Sequence, residues 1–87
     1  MIDAIVAWDM EDDPQGNVQH IAQHGITMEE VEEVLLNENN AVGESRSSGR
    51  PITMGETSTG KRIAVIWEEA SDNPLVIRPV TAYEVDE

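Results

Sequence analysis

Eighty-seven residues suffice for one small domain with a single core, read here as one unit over 1–87; 39% of them are hydrophobic and only Trp8, Trp67 and Tyr83 are aromatic, so aliphatic side chains must do most of the packing. Five Lys and Arg against 18 Asp and Glu leave a net charge of −13, which repels phosphate backbones and anionic lipid and puts nucleic-acid binding at a disadvantage. The absence of cysteine excludes disulfides and thiolate metal sites, and with no basic leader and no apolar run of bilayer length the expectation is a cytoplasmic protein without a membrane segment.

In chain order, Ile2, Ala4, Val6 and Trp8 alternate with Asp3, Ile5 and Ala7 and predict a first strand, one face strongly buried and the other partly covered, that ends at Asp9. The acidic DMEDD stretch then leads into Asp13-Pro14, a helix-start signal in which the carboxylate caps backbone N–H groups and proline fits the first turn. A first helix is predicted from Pro14 to His24, with Val18, Ile21 and Ala22 on one face and Gly25 as its left-handed stop. Thr27-Met28-Glu29-Glu30 reads as a capping box opening a second helix, whose apolar stripe is Met28, Val31, Val34 and Leu35 and which stops at Asn37–Asn40. Strands are predicted over Ala41–Arg46, Ile52–Glu56, Lys61–Glu68 and Leu75–Val85. The turns between them fall at Ser47–Pro51, Ser58–Gly60 and Ala70–Pro74, Pro79 implies a bulge or a side of the strand where its missing N–H does no harm, and Val85–Glu87 is a frayed end. Both helices are short and amphipathic and need a sheet to cover. The order βααββββ therefore predicts an α+β domain, a mainly antiparallel sheet with two short helices packed on one face.

Charge is distributed unevenly: residues 1–45 hold eleven acids and no Lys or Arg, whereas Arg46, Arg50, Lys61, Arg62 and Arg78 all follow. Asp9, Glu11 and Asp13 mimic the opening of a calcium loop, but Pro14 stands where the loop glycine belongs and His20 where the bidentate glutamate belongs, so the helix-start reading takes precedence. His20 and His24 lie one turn apart, with Asn17 beside them, at a spacing that suits zinc or proton transfer. HIAQH lacks the intervening glutamate of zinc proteases and a third ligand, so hydrogen-bonded edge histidines are the competing reading and no metal is assigned. Arg62 and Arg78 each alternate with apolar residues along a strand, which places a guanidinium on an apolar sheet face; internal ion pairs with Glu56, Glu68 or Glu84 compete with phosphate contact. Tyr83 is either a proton donor or a half-buried packing residue. GETSTGK has the wrong spacing for a phosphate-binding loop.

Trp8-Asp9, His24-Gly25-Ile26-Thr27 opening onto Glu29-Glu30-Val31, Gly60-Lys61-Arg62 leading into IAVIW, and Arg78-Pro79-Val80-Thr81-Ala82 together resemble the BrnT-type toxin family over nearly the whole chain. The resemblance implies a RelE-like fold, metal-independent RNA cleavage without cofactors, and a partner antitoxin. Under it, His24, Lys61, Arg62, Arg78 and Tyr83 are the candidates for phosphate contact or proton transfer. The chain departs from the pattern where Asp12-Asp13 replaces an early lysine, Gln23 stands before His24 in place of lysine, and Tyr83 stands where the toxins carry arginine. Each departure removes a cation that would stabilise a developing phosphorane.

The expectation is therefore a divergent toxin-fold protein acting mainly as an acidic interaction module, with Glu29, Glu30, Glu32 and Glu33 meeting a basic protein partner or antitoxin. An mRNA-cleaving ribonuclease toxin is the first alternative, with RNA disfavoured as a ligand by the net charge. A small regulatory domain with a weak metal site is the second.

Overall fold

Ile63, Val65 and Trp67 in Arg62–Asp72 and Ile77 and Ala82 in Leu75–Glu84 are buried on one face, and these two runs form the long central strands of the sheet. The computed structural model describes residues 4–85 and has the order β1 (Ile5–Val6), α1 (Asn17–Ala22), α2 (Met28–Leu35), β2 (Val42–Glu44), β3 (Pro51–Glu56), β4 (Arg62–Asp72) and β5 (Leu75–Glu84). Among the described residues these strands make one five-stranded sheet in the order β1-β5-β4-β3-β2, antiparallel except where β1 runs parallel to β5. The fold is thus α+β in the expected order βααββββ, with α1 against β5 and α2 against β3 and β4.

The core lies between sheet and helices. Ile63, Val65 and Trp67 of β4 with Ile77 and Ala82 of β5 meet Ile21, Ile26, Val31, Val34 and Leu35 from the helical layer. Full burial of each such aliphatic side chain contributes roughly 1.5–3 kcal/mol, which is what holds two short helices in place. Within this layer the Trp67 indole N–H donates to Thr53 Oγ1 at 3.0 Å, so its one polar atom is satisfied.

α2 is built as its sequence dictates. Thr27 Oγ1 accepts from the Glu30 N–H and the Glu30 carboxylate accepts from the Thr27 N–H, a reciprocal capping box. α1 ends at Ala22, two residues short of the expected His24, because the chain already turns toward the glycine stop. Gly25 takes φ 77°, its N–H reaches Ala22 O, and the Ile26 N–H reaches Ile21 O, the paired bonds of a Schellman stop.

Further boundaries differ from expectation, the larger shifts each for a local reason. The first strand shrinks to Ile5–Val6, because after Ala7 the chain is pulled off the sheet when the Asp9 N–H bonds to Asn17 Oδ1 at 2.9 Å; Ile2 lies outside the described residues. α1 begins at Asn17 and not at Pro14: Asp13 accepts from the Gln15 N–H and closes a separate turn, leaving Gly16 as the N-cap. β2 contracts from Ala41–Arg46 to Val42–Glu44, because the Ser45 N–H turns to Arg50 O and closes the loop into β3. Ala70–Asp72 belongs to β4 and not to a turn. An irregularity between Glu69 and Ser71 shifts the register there, so β4 pairs with β5 as far as Asp72 opposite Leu75. Of the two readings of Pro79 the bulge is present, since Ile66 faces Thr81 while Trp67 faces Pro79, leaving Val80 as the extra residue. Val85 still donates to Arg62 O, and residues 86 and 87 lie outside the described residues. No helix among the described residues is long and apolar enough to cross a membrane.

Candidate functional site

The acids of the DMEDD stretch divide by role. Asp9 is structural: its Oδ2 accepts from the Asn17 N–H at 2.9 Å, so it caps α1 from eight residues upstream, and from Arg78 Nη2 at 2.7 Å. Glu11, Asp12 and Asp13 are exposed. Asn17, placed beside the histidines by sequence reasoning, is instead 3% exposed and forms a buried hub. Its Nδ2 donates to Ala7 O at 3.2 Å and to Pro79 O at 3.0 Å while its Oδ1 accepts from Asp9, so one side chain ties β1, α1 and β5 together. Only the fold brings Pro79 to Asn17, so no signal at the level of spacing marks this role.

The four glutamates of α2 also divide, according to the angular order set by 3.6 residues per turn. With Val31, Val34 and Leu35 facing the sheet, Glu30 and Glu32 fall on the two flanks and Glu29 and Glu33 point outward. The Glu30 Oε2 pairs with Lys61 Nζ at 3.1 Å, and Glu32 accepts from the Trp8 indole N–H at 2.7 Å. Glu33 accepts from the Ser58 N–H at 2.8 Å and remains exposed, while Glu29 is exposed with no hydrogen bond or ion pair among the described residues. The outward acids are therefore Glu29 and Glu33, extended by the exposed Glu38 just beyond the helix.

Of the candidates for RNA chemistry, Lys61 and His24 lie on the helical side. Lys61 Nζ bonds Gly25 O at 3.1 Å as well as Glu30, which pins the β3–β4 turn to the junction of α1 and α2. His24 is exposed and packs edge-on against His20, with ring centroids 5.5 Å apart at 66°. Strand alternation places Arg62, Arg78 and Tyr83 on the opposite face of the sheet, since Ile63, Ile77 and Ala82 between them face the helices. Arg78 lies between Asp9 and Glu68, at 2.7 and 3.6 Å, so one of the partners expected for it is joined by a second that spacing did not reveal. Arg62 stands opposite Glu56 across the β3–β4 ladder. Tyr83 stands opposite Ala64 and is 38% exposed. The sheet thus separates His24 and Lys61 from Arg62 and Tyr83, whereas the Arg78 guanidinium reaches the edge at which Asp9 Oδ2 also accepts from the Asn17 N–H of α1.

At the end of the sheet Met54, Gly55, Glu56, Arg62 and Glu84 border an open depression of about 570 Å3, which Asn40, Gly60 and Val85 complete. Among the described residues no group of three or more His, Asp or Glu side chains is placed to hold a metal ion.

Among the described residues two carboxyls are perturbed. The Asn17 N–H and then the Arg78 guanidinium hold Asp9 below the usual carboxylate range in spite of partial loss of hydration. Partial burial alone would raise Glu30, but the Thr27 N–H and the Lys61 ammonium outweigh it and leave its pKa lowered. A depressed folded-state pKa contributes stability that is fully present above the unfolded value, about 4 for these groups, and lost as pH falls through the folded value. The stability difference between the wild-type chain and Asp9→Asn or Glu30→Gln is therefore expected to be constant above about pH 5 and to narrow below about pH 4. Urea titrations at a series of pH values measure it, and a difference that stays constant down to pH 2 would rule out the assigned contacts.

No family model, curated protein or solved structure matches this chain.

Proposed function

We propose that this chain is a divergent relative of the BrnT-type toxins that works in the cytoplasm chiefly as an acidic interaction module, its helical face receiving a basic protein partner or an antitoxin. The observation that supports this reading most is the contrast between its charges. Glu29, Glu33 and Glu38 project from one side of the helical layer, whereas Lys61 and Arg78 are engaged by Glu30 and by Asp9 and Glu68. A cation held by carboxylates has little capacity left to stabilise a phosphorane, and an outward anionic ridge attracts a cationic surface. The separation of His24 and Lys61 from Arg62 and Tyr83 by the sheet argues the same way, since phosphate contact and proton transfer need groups converging on one reacting atom.

The test captures partners at low and high salt and then measures binding of the purified partner to charge-reversed chains. Glu29→Lys, Glu33→Lys and Glu38→Lys combined are expected to weaken binding by at least about tenfold at low salt, the sum of three screened pairs. A control pair, Glu69→Lys with Asp72→Lys at the far hairpin, leaves binding within about twofold. Cleavage of purified mRNA, with or without ribosomes, that is lost in Arg62→Ala and Arg78→Ala would overturn the reading in favour of a ribonuclease.

A further inference from the structure

The side chains of His20 and His24 serve neither the fold nor the function proposed above. Both are exposed, and among the described residues each ring packs on the other and makes no hydrogen bond or ion pair. The bonds expected of edge histidines are therefore absent there, and the ring nitrogens are left without a protein partner.

The backbone that carries the two rings is well fixed. His20 lies in α1 and His24 just beyond its end, where the His24 N–H bonds Ile21 O and the Gly25 and Ile26 N–H groups bond Ala22 O and Ile21 O. Ile21 and Ile26 are both in the core, so the turn between them is anchored from below. One helical turn of separation then brings the two side chains to the same side of the chain. A nitrogen–metal bond of about 2.0–2.1 Å puts the centres of two imidazoles on one ion about 4.5–6 Å apart, depending on the angle at the metal. The two rings stand 5.5 Å apart at 66°. Rotation of an imidazole about its Cβ–Cγ bond is soft, so one nitrogen of each ring can be aimed at a common point without moving the backbone.

Charge favours a cation here. The chain carries −13 overall, and the Lys61 ammonium that reaches the Gly25 carbonyl beside His24 is paired with Glu30. The number of ligands selects the ion. No third His, Asp or Glu joins the pair among the described residues, so a bound metal takes two nitrogens from the protein and water in its other positions. Calcium and magnesium need several oxygen ligands and do not fit such a site. Among the divalent ions that take imidazole, copper(II) binds most tightly and accepts nitrogen and oxygen donors in a tetragonal arrangement, with nickel and zinc weaker.

From this we infer that His20 and His24 form a two-point chelate for a late first-row divalent transition metal, copper(II) most tightly. The site lies at the end of α1 and uses none of Glu29, Glu33 and Glu38, so it stands or falls independently of the interaction role proposed above.

Calorimetric titration of the full chain with copper(II), zinc(II) and magnesium chlorides in a non-coordinating buffer tests it, and electron paramagnetic resonance of the copper complex counts the bound imidazoles. The expected result is copper held by two imidazoles, zinc weaker by at least about tenfold, and no binding of magnesium. His20→Ala and His24→Ala alter exposed side chains; each is expected to keep the far-UV spectrum and to weaken copper binding by at least about tenfold, because a chelate that loses one arm also loses the gain from tethering. Glu11→Gln combined with Asp13→Asn neutralises two acids of the preceding stretch and is expected to change the affinity by less than about threefold, since exposed charges are screened. A chain that binds no copper, a spectrum with one imidazole or none, an affinity that survives either histidine substitution, or binding lost with the two acids would overturn the inference.

Discussion

Asn17→Ala is expected to lower the unfolding free energy by about 3 kcal/mol, a large effect for the loss of one amide group. The alanine leaves the buried Pro79 carbonyl, the Ala7 carbonyl and the Asp9 N–H without their partner. Each orphaned group costs about 1–3 kcal/mol when water cannot replace the bond, and the Pro79 contact is the most deeply buried of the three. Asn17→Asp is expected to be worse than alanine: it keeps an acceptor for the Asp9 N–H but sets a carboxylate against two carbonyl oxygens and beside the Asp9 carboxylate. Urea unfolding monitored through tryptophan fluorescence measures both. A loss under about 1 kcal/mol for the alanine variant would mean that these groups rehydrate and that the hub is not structural. The consequence reaches the helical face, because Asn17 is the residue that joins the start of α1 to β5.

Gly55→Val is expected to cost a similar amount, about 3 kcal/mol, through overpacking. A Cβ at Gly55 would run into the Asn40 side chain, with Cγ only 2.8 Å away. Asn40 has little room to yield, since its Nδ2 donates to the Val34 carbonyl at 2.9 Å and so satisfies an open group near the end of α2. The added side chain therefore detaches the end of α2 from β3. Asn40→Ala alone is expected to cost about 1 kcal/mol, the net worth of one hydrogen bond. The double variant should cost less than the sum of the two by at least about 1 kcal/mol, because removing the Asn40 amide makes room for the valine. Strictly additive losses in the double-mutant cycle would rule out this contact as the cause.

Local chemistry was legible wherever it depends on neighbours in the chain. The Thr27–Glu30 capping box, the Gly25 stop and the apolar stripe of α2 all follow from residues within a few positions of one another, and each is present as expected. The element order βααββββ follows for the same reason, since hydrophobic period and turn residues are local signals. Where expectation and structure part, a distant group competed. Asp13-Pro14 is a valid helix start in isolation, but Asp9 and Asn17 form a reciprocal pair that moves the first helical residue to Asn17 and cuts the first strand short. Ala70–Asp72 reads as a turn by composition, yet pairing with β5 extends the strand through it.

The candidate site divides along the same line. Composition and charge order alone determined that this chain is strongly anionic and that its bases follow its first eleven acids, because those are properties of covalent sequence. Which acids remain outward was decided only by tertiary structure: Glu30 and Glu32 reach Lys61 and Trp8, distant in sequence, while Glu29 and Glu33 are turned away by the helical period that buries Val31 and Val34. The placement of His24 and Lys61 on one side of the sheet and Arg62 and Tyr83 on the other was likewise a tertiary decision. A strand alternates its side chains between two faces, but which face is covered is fixed only when the helices pack and exclude water from one of them.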